Sequence, residues 1–352
     1  LSSGAKITWQ SVLGKGYSGV SIRGNRLYTM GNDGSNDTVW CLNADSGAVI
    51  WKYSYACGNN EYPGPRSTPT LDGDLVYTVS SEGHIFCLNA SSGAVIWSKH
   101  LVRDFGARSP TWTFAGSVVI EGNMALINAN KSGIALNKTN GALIWSSAKG
   151  KGGYSTPVLF SIGNMRTMAL FGETALYGVE VATGRVLWEY GWVTSYAVNA
   201  ADPLVIGNTV FVTSGYNTGS ALLQFSASSI TKKWDSPLMA SHFTSPVLYN
   251  GAIIGIDGNM GSSAAFQILD TAVGSSKLRQ SMRTGNFILV GDKAVIISER
   301  GELSINTITT GSFTQVSQAK LKSGVYWTMP IYSSGRLFIR NAAGDLFCIS
   351  VR

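Results

Sequence analysis

The sequence predicts an all-β chain folded as one eight-bladed β-propeller of four-stranded blades, and three observations carry that expectation. A tryptophan-ended segment recurs at a near-constant interval along the 352 residues. Each interval holds short apolar runs separated by Gly, Asp and Asn turns, which is the pattern of consecutive hairpins. The last repeat lacks its closing strand, and a segment that matches the missing piece stands at the other end of the chain.

The repeat is clearest in Cys41-Leu42-Asn43-Ala44-Asp45-Ser46-Gly47-Ala48-Val49-Ile50-Trp51 and Cys87-Leu88-Asn89-Ala90-Ser91-Ser92-Gly93-Ala94-Val95-Ile96-Trp97. It continues in Leu136–Trp145 and Val179–Trp188, and a degenerate copy ends at Trp234. The closing tryptophans Trp51, Trp97, Trp145, Trp188 and Trp234 stand 46, 48, 43 and 46 residues apart. A unit of about 44 residues fits the chain eight times, and a period of 20–50 residues is the mark of repeat architectures. Two further units, Gln267–Leu278 and Leu303–Gly311, have lost the tryptophan.

Within one unit the strands fall in order. In the second, Ser67–Leu71 reads as the inner strand, Leu75–Val79 as the next, Ile85–Asn89 as the third and Ala94–Trp97 as the outer one. Glycines in the turns supply positive φ without a Cβ clash. No ten-residue stretch carries a 3.6-residue period, so almost no helix is expected. The eighth unit spans 327–352 and ends on Leu346–Ser350. Ala5-Lys6-Ile7-Thr8-Trp9 matches Ala48-Val49-Ile50-Trp51, so residues 5–10 are expected to complete that blade, remove the open edge and make 1–352 a single domain. Radially packed sheets diverge toward the rim. An indole fills the gap, and its N–H reaches a neighbouring carbonyl, so the repeated tryptophan reads as structural.

Composition narrows the function classes. Net charge is +7, but the 27 Lys and Arg are scattered with no run of five, so nucleic acid is not an expected partner. No apolar run reaches the ~18 residues of a membrane helix. Leu1-Ser2-Ser3-Gly4 shows neither the charged nor the apolar region of a signal peptide. The cysteines Cys41, Cys57, Cys87 and Cys348 form no CxxC pair. Three of them share one third-strand position in different blades, too far apart for a disulfide; Cys57 lies in a loop and is the better reactive or paired thiol.

These units resemble the pyrroloquinoline-quinone (PQQ)-like tryptophan-docking repeat. It is found in quinoprotein alcohol dehydrogenases, in the propeller lipoprotein of the bacterial barrel-assembly machinery and in secreted PQQ-like propellers. The resemblance covers the whole chain and implies a periplasmic, cell-surface or secreted bacterial protein. For the dehydrogenases it implies PQQ stacked between a tryptophan and a disulfide of adjacent cysteines, with calcium held beside a catalytic Asp. Here the nearest cysteines, Cys41 and Cys57, stand 16 positions apart, and the calcium set maps onto no particular residues. Function resides in sites grafted on the fold. The expected function is therefore a non-catalytic extracytoplasmic binding or scaffold propeller, a monomer engaging a protein, polymer or small ligand. A PQQ-dependent alcohol dehydrogenase is the alternative.

Loops from an outer strand to the next inner strand line one mouth of a propeller, with those between second and third strands. Aligning the blades on the inner-strand proline (Pro69, Pro157, Pro203, Pro246 and Pro330) and taking the position three residues earlier gives a ring of Tyr17, Arg66, Tyr154, Phe243 and Trp327, with Ala115, Ala200 and Thr284 in plainer blades. Trp112, Asn199 and His242 lie beside it. Such a ring suits an anionic or carbohydrate-like ligand, or serves to plug the funnel. The loops Cys57–Arg66 and Val102–Pro110 are long for their places and are candidate partner-binding segments. Asn32-Asp33-Gly34-Ser35-Asn36-Asp37 offers oxygen ligands suited to calcium, though an Asx-rich turn explains it without a metal. Ser81, Glu82 and His84 share a turn but lack the GxSxG context of a hydrolase. Glu299-Arg300-Gly301-Glu302 reads as a charged hairpin turn.

Overall fold

The computed structural model describes residues 6–58 and 61–351. Its strands form eight four-stranded antiparallel sheets, the blades of an eight-bladed propeller. Blades one, two, seven (Gly285–Val290, Lys293–Ser298, Glu302–Ile308 and Phe313–Lys320) and eight make one compact group, and blades three to six another.

In the first group, blade one comprises Ser21–Arg23, Arg26–Asn32, Asn36–Asn43 and Val49–Ala56, paired in sequence order. Blade two comprises Thr70–Asp72, Leu75–Val79, His84–Asn89 and Val95–His100. Its inner strand starts later than the sequence suggests. The Ser67 hydroxyl takes the place of the ladder, donating to Val79 O (2.6 Å) and accepting from Val79 N (3.3 Å). Blade eight joins Ile331–Ser333, Arg336–Arg340 and Asp345–Ser350 to the amino-terminal strand Lys6–Val12, which pairs from Lys6↔Ser350 to Val12↔Asp345. The expected closure by residues 5–10 is thus extended to Val12, while Ala5 lies outside the described residues. Gln10 Nε2 donates to Asp345 Oδ1 (2.9 Å), and Leu13 N donates to Gly344 O (2.9 Å).

The tryptophan–glycine pairing of the repeat has a physical cause. Trp9 Nε1 donates to Ala44 O (3.1 Å), and Trp51 Nε1 donates to Ala90 O (3.0 Å), each at the third turn of the next blade. The glycine of that turn lies under the indole. A Cβ on Gly47 would stand 2.6 Å from Trp9, and one on Gly93 2.6 Å from Trp51. Both glycines also hold positive φ, +73° and +75°. The residue paired with the tryptophan inside its own blade is small, as in Cys41↔Trp51 and Cys348↔Trp9. This explains the repeated cysteine: it leaves room for a ring whose burial removes roughly 200 Å² from water, worth up to about 5 kcal/mol before entropy.

The docking recurs in the second group, where Ala135 and Gly178 are the small partners of Trp145 and Trp188, while Trp234 pairs with the larger Leu222. Blade three runs Val119–Glu121, Met124–Ile127, Ile134–Asn137 and Leu143–Ser146; blade four Val158–Ile162, Met165–Phe171, Ala175–Glu180 and Val186–Gly191. Blade five runs Leu204–Ile206, Thr209–Ser214, Gly219–Phe225 and Ile230–Ser236; blade six Val247–Tyr249, Ala252–Asp257, Ser263–Asp270 and Ser276–Arg283. Trp145 Nε1 bonds Val181 O (2.8 Å) over Gly184, and Trp234 Nε1 bonds Thr271 O (3.0 Å) over Gly274. Trp188 is the exception. The turn it would dock on, Ser226–Ser229, has no glycine. Its indole stacks on Phe225 instead (centroids 5.8 Å, 22°) and lies over its strand partner Gly178. Its Nε1 makes no hydrogen bond among the described residues.

Among the described residues, two short helices interrupt the strands. The segment expected as a plain loop, Val102–Pro110, begins within an α-helix, Leu101–Phe105. His100 Nδ1 caps it by accepting from Val102 N and Arg103 N, and Asp104 Oδ2 reaches back to His100 N (2.7 Å). This reciprocal cap holds five residues, too few to show a period. A 3₁₀ turn covers Ser195–Ala197.

Candidate functional site

Among the blades of the first group, three ring residues meet. Tyr17 stacks on Trp327 (centroids 5.3 Å, 22°), and the Arg66 guanidinium lies 5.9 Å from the Tyr17 ring. Tyr62, which the ring rule missed, leans on Trp327 at 5.9 Å. Arg66 is aimed by its own loop: Nη2 donates to Tyr62 O (2.9 Å) and Nη1 to Gly64 O (3.1 Å). Tyr17 N donates to Pro65 O (2.8 Å), which ties that loop to the first blade. All four side chains are half-buried. Burial raises the Tyr17 phenol, with Arg66 opposing the rise, so the site presents neutral aromatic faces beside a cation.

In the second group the remaining ring residues form two sets. Tyr154 is buried, and its hydroxyl accepts from Trp112 N (3.1 Å). His242 stacks on Phe243 (3.8 Å) and meets Tyr216 edge-on at 5.0 Å; Tyr216 in turn meets the exposed Tyr196 at 5.2 Å. Tyr196 and Tyr216 hold φ of +60° and +56°, a left-handed backbone that nothing in a tyrosine announces. Burial pushes the His242 imidazole down to about 4, and Nδ1 accepts from Met260 N (3.3 Å), so the ring is neutral with its proton on Nε2.

Asn199 departs from the expectation. It is fully buried: Nδ2 donates to Gly172 O, Glu173 O and Trp192 O, and Oδ1 accepts from Thr194 and Ser214. Every polar atom is spent on holding loops, leaving nothing for a ligand. A carboxyl group absent from the ring rule, Asp202, accepts from Thr156 N (2.7 Å) and is pushed up to about 6 by burial.

The turn Asn32–Asp37, which offers oxygen ligands but also reads as an Asx-rich turn, is closed by its own bonds. Asp33 Oδ1 accepts from Ser35 N (2.9 Å) and Asn36 N (2.8 Å), and Asn32 Oδ1 accepts from Gly34 N (2.7 Å). The Ser81–Glu82–His84 grouping does not form a triad either. Ser80, not Ser81, bonds His84 Nδ1 (3.1 Å), and Ser80 is itself fully buried. Cys57, expected as a reactive or paired thiol, is free and 2% exposed. Burial and then the neighbouring Asp37 carboxylate push its thiol up to about 12, which disfavours the thiolate. Its Sγ comes together with a Glu82 oxygen and a His84 nitrogen, all within 4.8 Å.

A family model described as outer membrane protein assembly factor BamB matches residues 35–280. The chain belongs to this BamB-type family of PQQ-like propellers. Among solved structures it is similar to BamB from Moraxella catarrhalis, at 15% identity and TM-score 0.72 over 98% of this chain and 99% of that one. It is also similar to a quinohemoprotein alcohol dehydrogenase from Comamonas testosteroni, at 11% identity and TM-score 0.73 over 99% and 76%. The computationally designed protein Ika8 aligns over 96% and 98%, at 11% identity and TM-score 0.65. At these identities the likeness shows the fold alone. No curated protein matches the sequence. The BamB-type fold here does not supply the quinone stack of the dehydrogenases: Cys41, Cys87 and Cys348 are buried, free and set in different blades. No helix among the described residues is long and apolar enough to cross a membrane.

Proposed function

We propose that this chain is a non-catalytic extracytoplasmic scaffold, a monomer that binds a protein partner through the loops carrying Tyr17, Tyr62, Arg66 and Trp327. The observation that carries the reading is the chemistry of that cluster. Two tyrosines, a tryptophan and an arginine meet half-buried on connecting loops, and these are the residue types that dominate binding energy at protein interfaces. Stacking and the backbone bonds to Arg66 pre-order the side chains, which lowers the entropy cost of association. The family description, an assembly factor, supports a partner-binding role.

The test is co-purification from envelope extracts with immobilised wild-type protein and with Arg66→Ala and Trp327→Ala. Partners held by the wild type and lost from both variants support the reading; equal recovery sinks this placement. A parallel titration with PQQ and calcium, read by absorbance and melting temperature, addresses the quinoprotein alternative. Saturable micromolar PQQ binding would overturn the scaffold reading. A dissociation constant weaker than ~100 µM leaves less than about 0.4 kcal/mol of stabilisation at that concentration.

A further inference from the structure

The turn of blade two and the end of blade one bring together three metal-binding side chains that the partner-binding reading does not use. Cys57 follows the outer strand Val49–Ala56, Glu82 sits between the second and third strands of blade two, and His84 opens the third. One ligand atom from each lies within 4.8 Å of the others. We propose that Cys57, Glu82 and His84 form a zinc site, with Asp37 as its outer-shell carboxylate.

The donor set selects the metal. Thiolate, imidazole and carboxylate together suit Zn²⁺, whereas calcium and magnesium take oxygen ligands alone. Zinc–ligand bonds of about 2.0–2.3 Å place tetrahedral donors roughly 3.3–3.7 Å apart, so these side chains need to draw in by about 1 Å. The surroundings orient them. Ser80 Oγ bonds His84 Nδ1 (3.1 Å), which holds the imidazole in place. Gly58 N donates to Glu82 Oε1 (2.9 Å), which fixes the carboxylate against the loop root. Asn32 Nδ2 spans Cys57 O (3.1 Å) and Asp37 Oδ1 (2.8 Å), and the Asp37 carboxylate hydrogen-bonds the Cys57 thiol. Cys57 is buried while Glu82 is exposed, which gives the ion a route from solvent.

On binding, a Zn–S bond forms, the S–H bond breaks and its proton passes to solvent; nothing is oxidised or reduced. The fourth position holds water. The metal would pin the root of the loop that carries Tyr62 and Arg66 onto blade two.

The experiment titrates the reduced, metal-stripped full chain with Zn²⁺ by calorimetry and with Co²⁺ by absorption. The expected result is one ion per chain and a thiolate-to-cobalt charge-transfer band with the visible bands of four-coordinate cobalt. Cys57→Ser should abolish the charge-transfer band. Glu82→Gln and His84→Gln should weaken zinc by at least the roughly 10–100-fold that outer-shell losses cost. Glu82 is exposed, so its variant keeps the test decisive even if Cys57→Ser does not fold. No saturable uptake at micromolar zinc, a charge-transfer band that survives Cys57→Ser, or wild-type affinity in both Glu82→Gln and His84→Gln would overturn the site.

Discussion

Arg340 Nη1 donates to Thr29 Oγ1 at 2.8 Å, joining the second strand of the last blade to the second strand of the first. The same guanidinium bonds Ser18 O (3.2 Å), Gly14 O (2.9 Å) and the Met30 carbonyl. Arg340 is 1% exposed, and each of these acceptors is a neutral oxygen. Burial lowers its pKa only to about 10, so it stays charged at neutral pH. A buried cation held by carbonyls is a clamp at the closure, alongside the paired strand Lys6–Val12. Arg340→Met keeps much of the volume but strands those oxygens. At about 1–3 kcal/mol for each unsatisfied buried group, with partial relaxation, the expected loss is roughly 3–5 kcal/mol. Urea unfolding measures it; a loss under ~1 kcal/mol would show that the strand pairing alone closes the ring.

The two glycines Gly93 and Gly73 separate backbone conformation from tryptophan docking. Both hold positive φ, but a Cβ on Gly93 meets Trp51 at 2.6 Å, whereas one on Gly73 meets nothing within 4 Å. Gly73→Ala should cost only the left-handed penalty of about 1 kcal/mol. Gly93→Ala should cost at least ~2 kcal/mol more, because a displaced indole loses packing as well as its bond to Ala90 O. Equal losses in denaturant unfolding would reduce the repeated glycine to a turn residue.

Trp188 makes the complementary case. Its docking turn, Ser226–Ser229, carries no glycine, and its Nε1 makes no bond among the described residues. Trp188→Phe should therefore cost about 1 kcal/mol or less, since the stack on Phe225 survives in part. Trp51→Phe loses a hydrogen bond with the same ring area and should cost about 1–2 kcal/mol more. Thermal melts of the two variants give the comparison directly.

The repeat was legible because it is local: one blade's tryptophan, the next blade's glycine and the small strand partner are each fixed by a single steric demand. The site was less so. Asn199 stands next to the ring position in sequence, but only the fold reveals that Gly172, Glu173 and Trp192 consume its amide. Cys57 reads as an exposed loop thiol, but it is buried and hydrogen-bonded to the Asp37 carboxylate. Tyr62 left no signal beyond its long loop, since the turn Tyr62–Arg66 is held by the Arg66 guanidinium bonding the loop's own carbonyls.

His242 and Asp202 predict a hidden pH balance. His242 has a folded pKa of about 4 against 6.5 unfolded, so the unfolded chain binds the extra proton and stability rises with pH between about 4 and 6.5. Asp202 is displaced the other way, to about 6 from 3.8. Here the folded chain binds the extra proton, and stability falls as pH rises across nearly the same window. The two slopes oppose, each bounded by about 1.4 kcal/mol per pH unit. Asp202→Asn removes the falling contribution, so its stability measured against wild type should climb as pH rises from 4 to 6. His242→Gln removes the rising one, and its stability against wild type should fall over that range. Urea unfolding of the three proteins at half-unit pH steps reads the difference. Curves for both variants that run parallel to wild type would mean that neither group is buried as the structure has it.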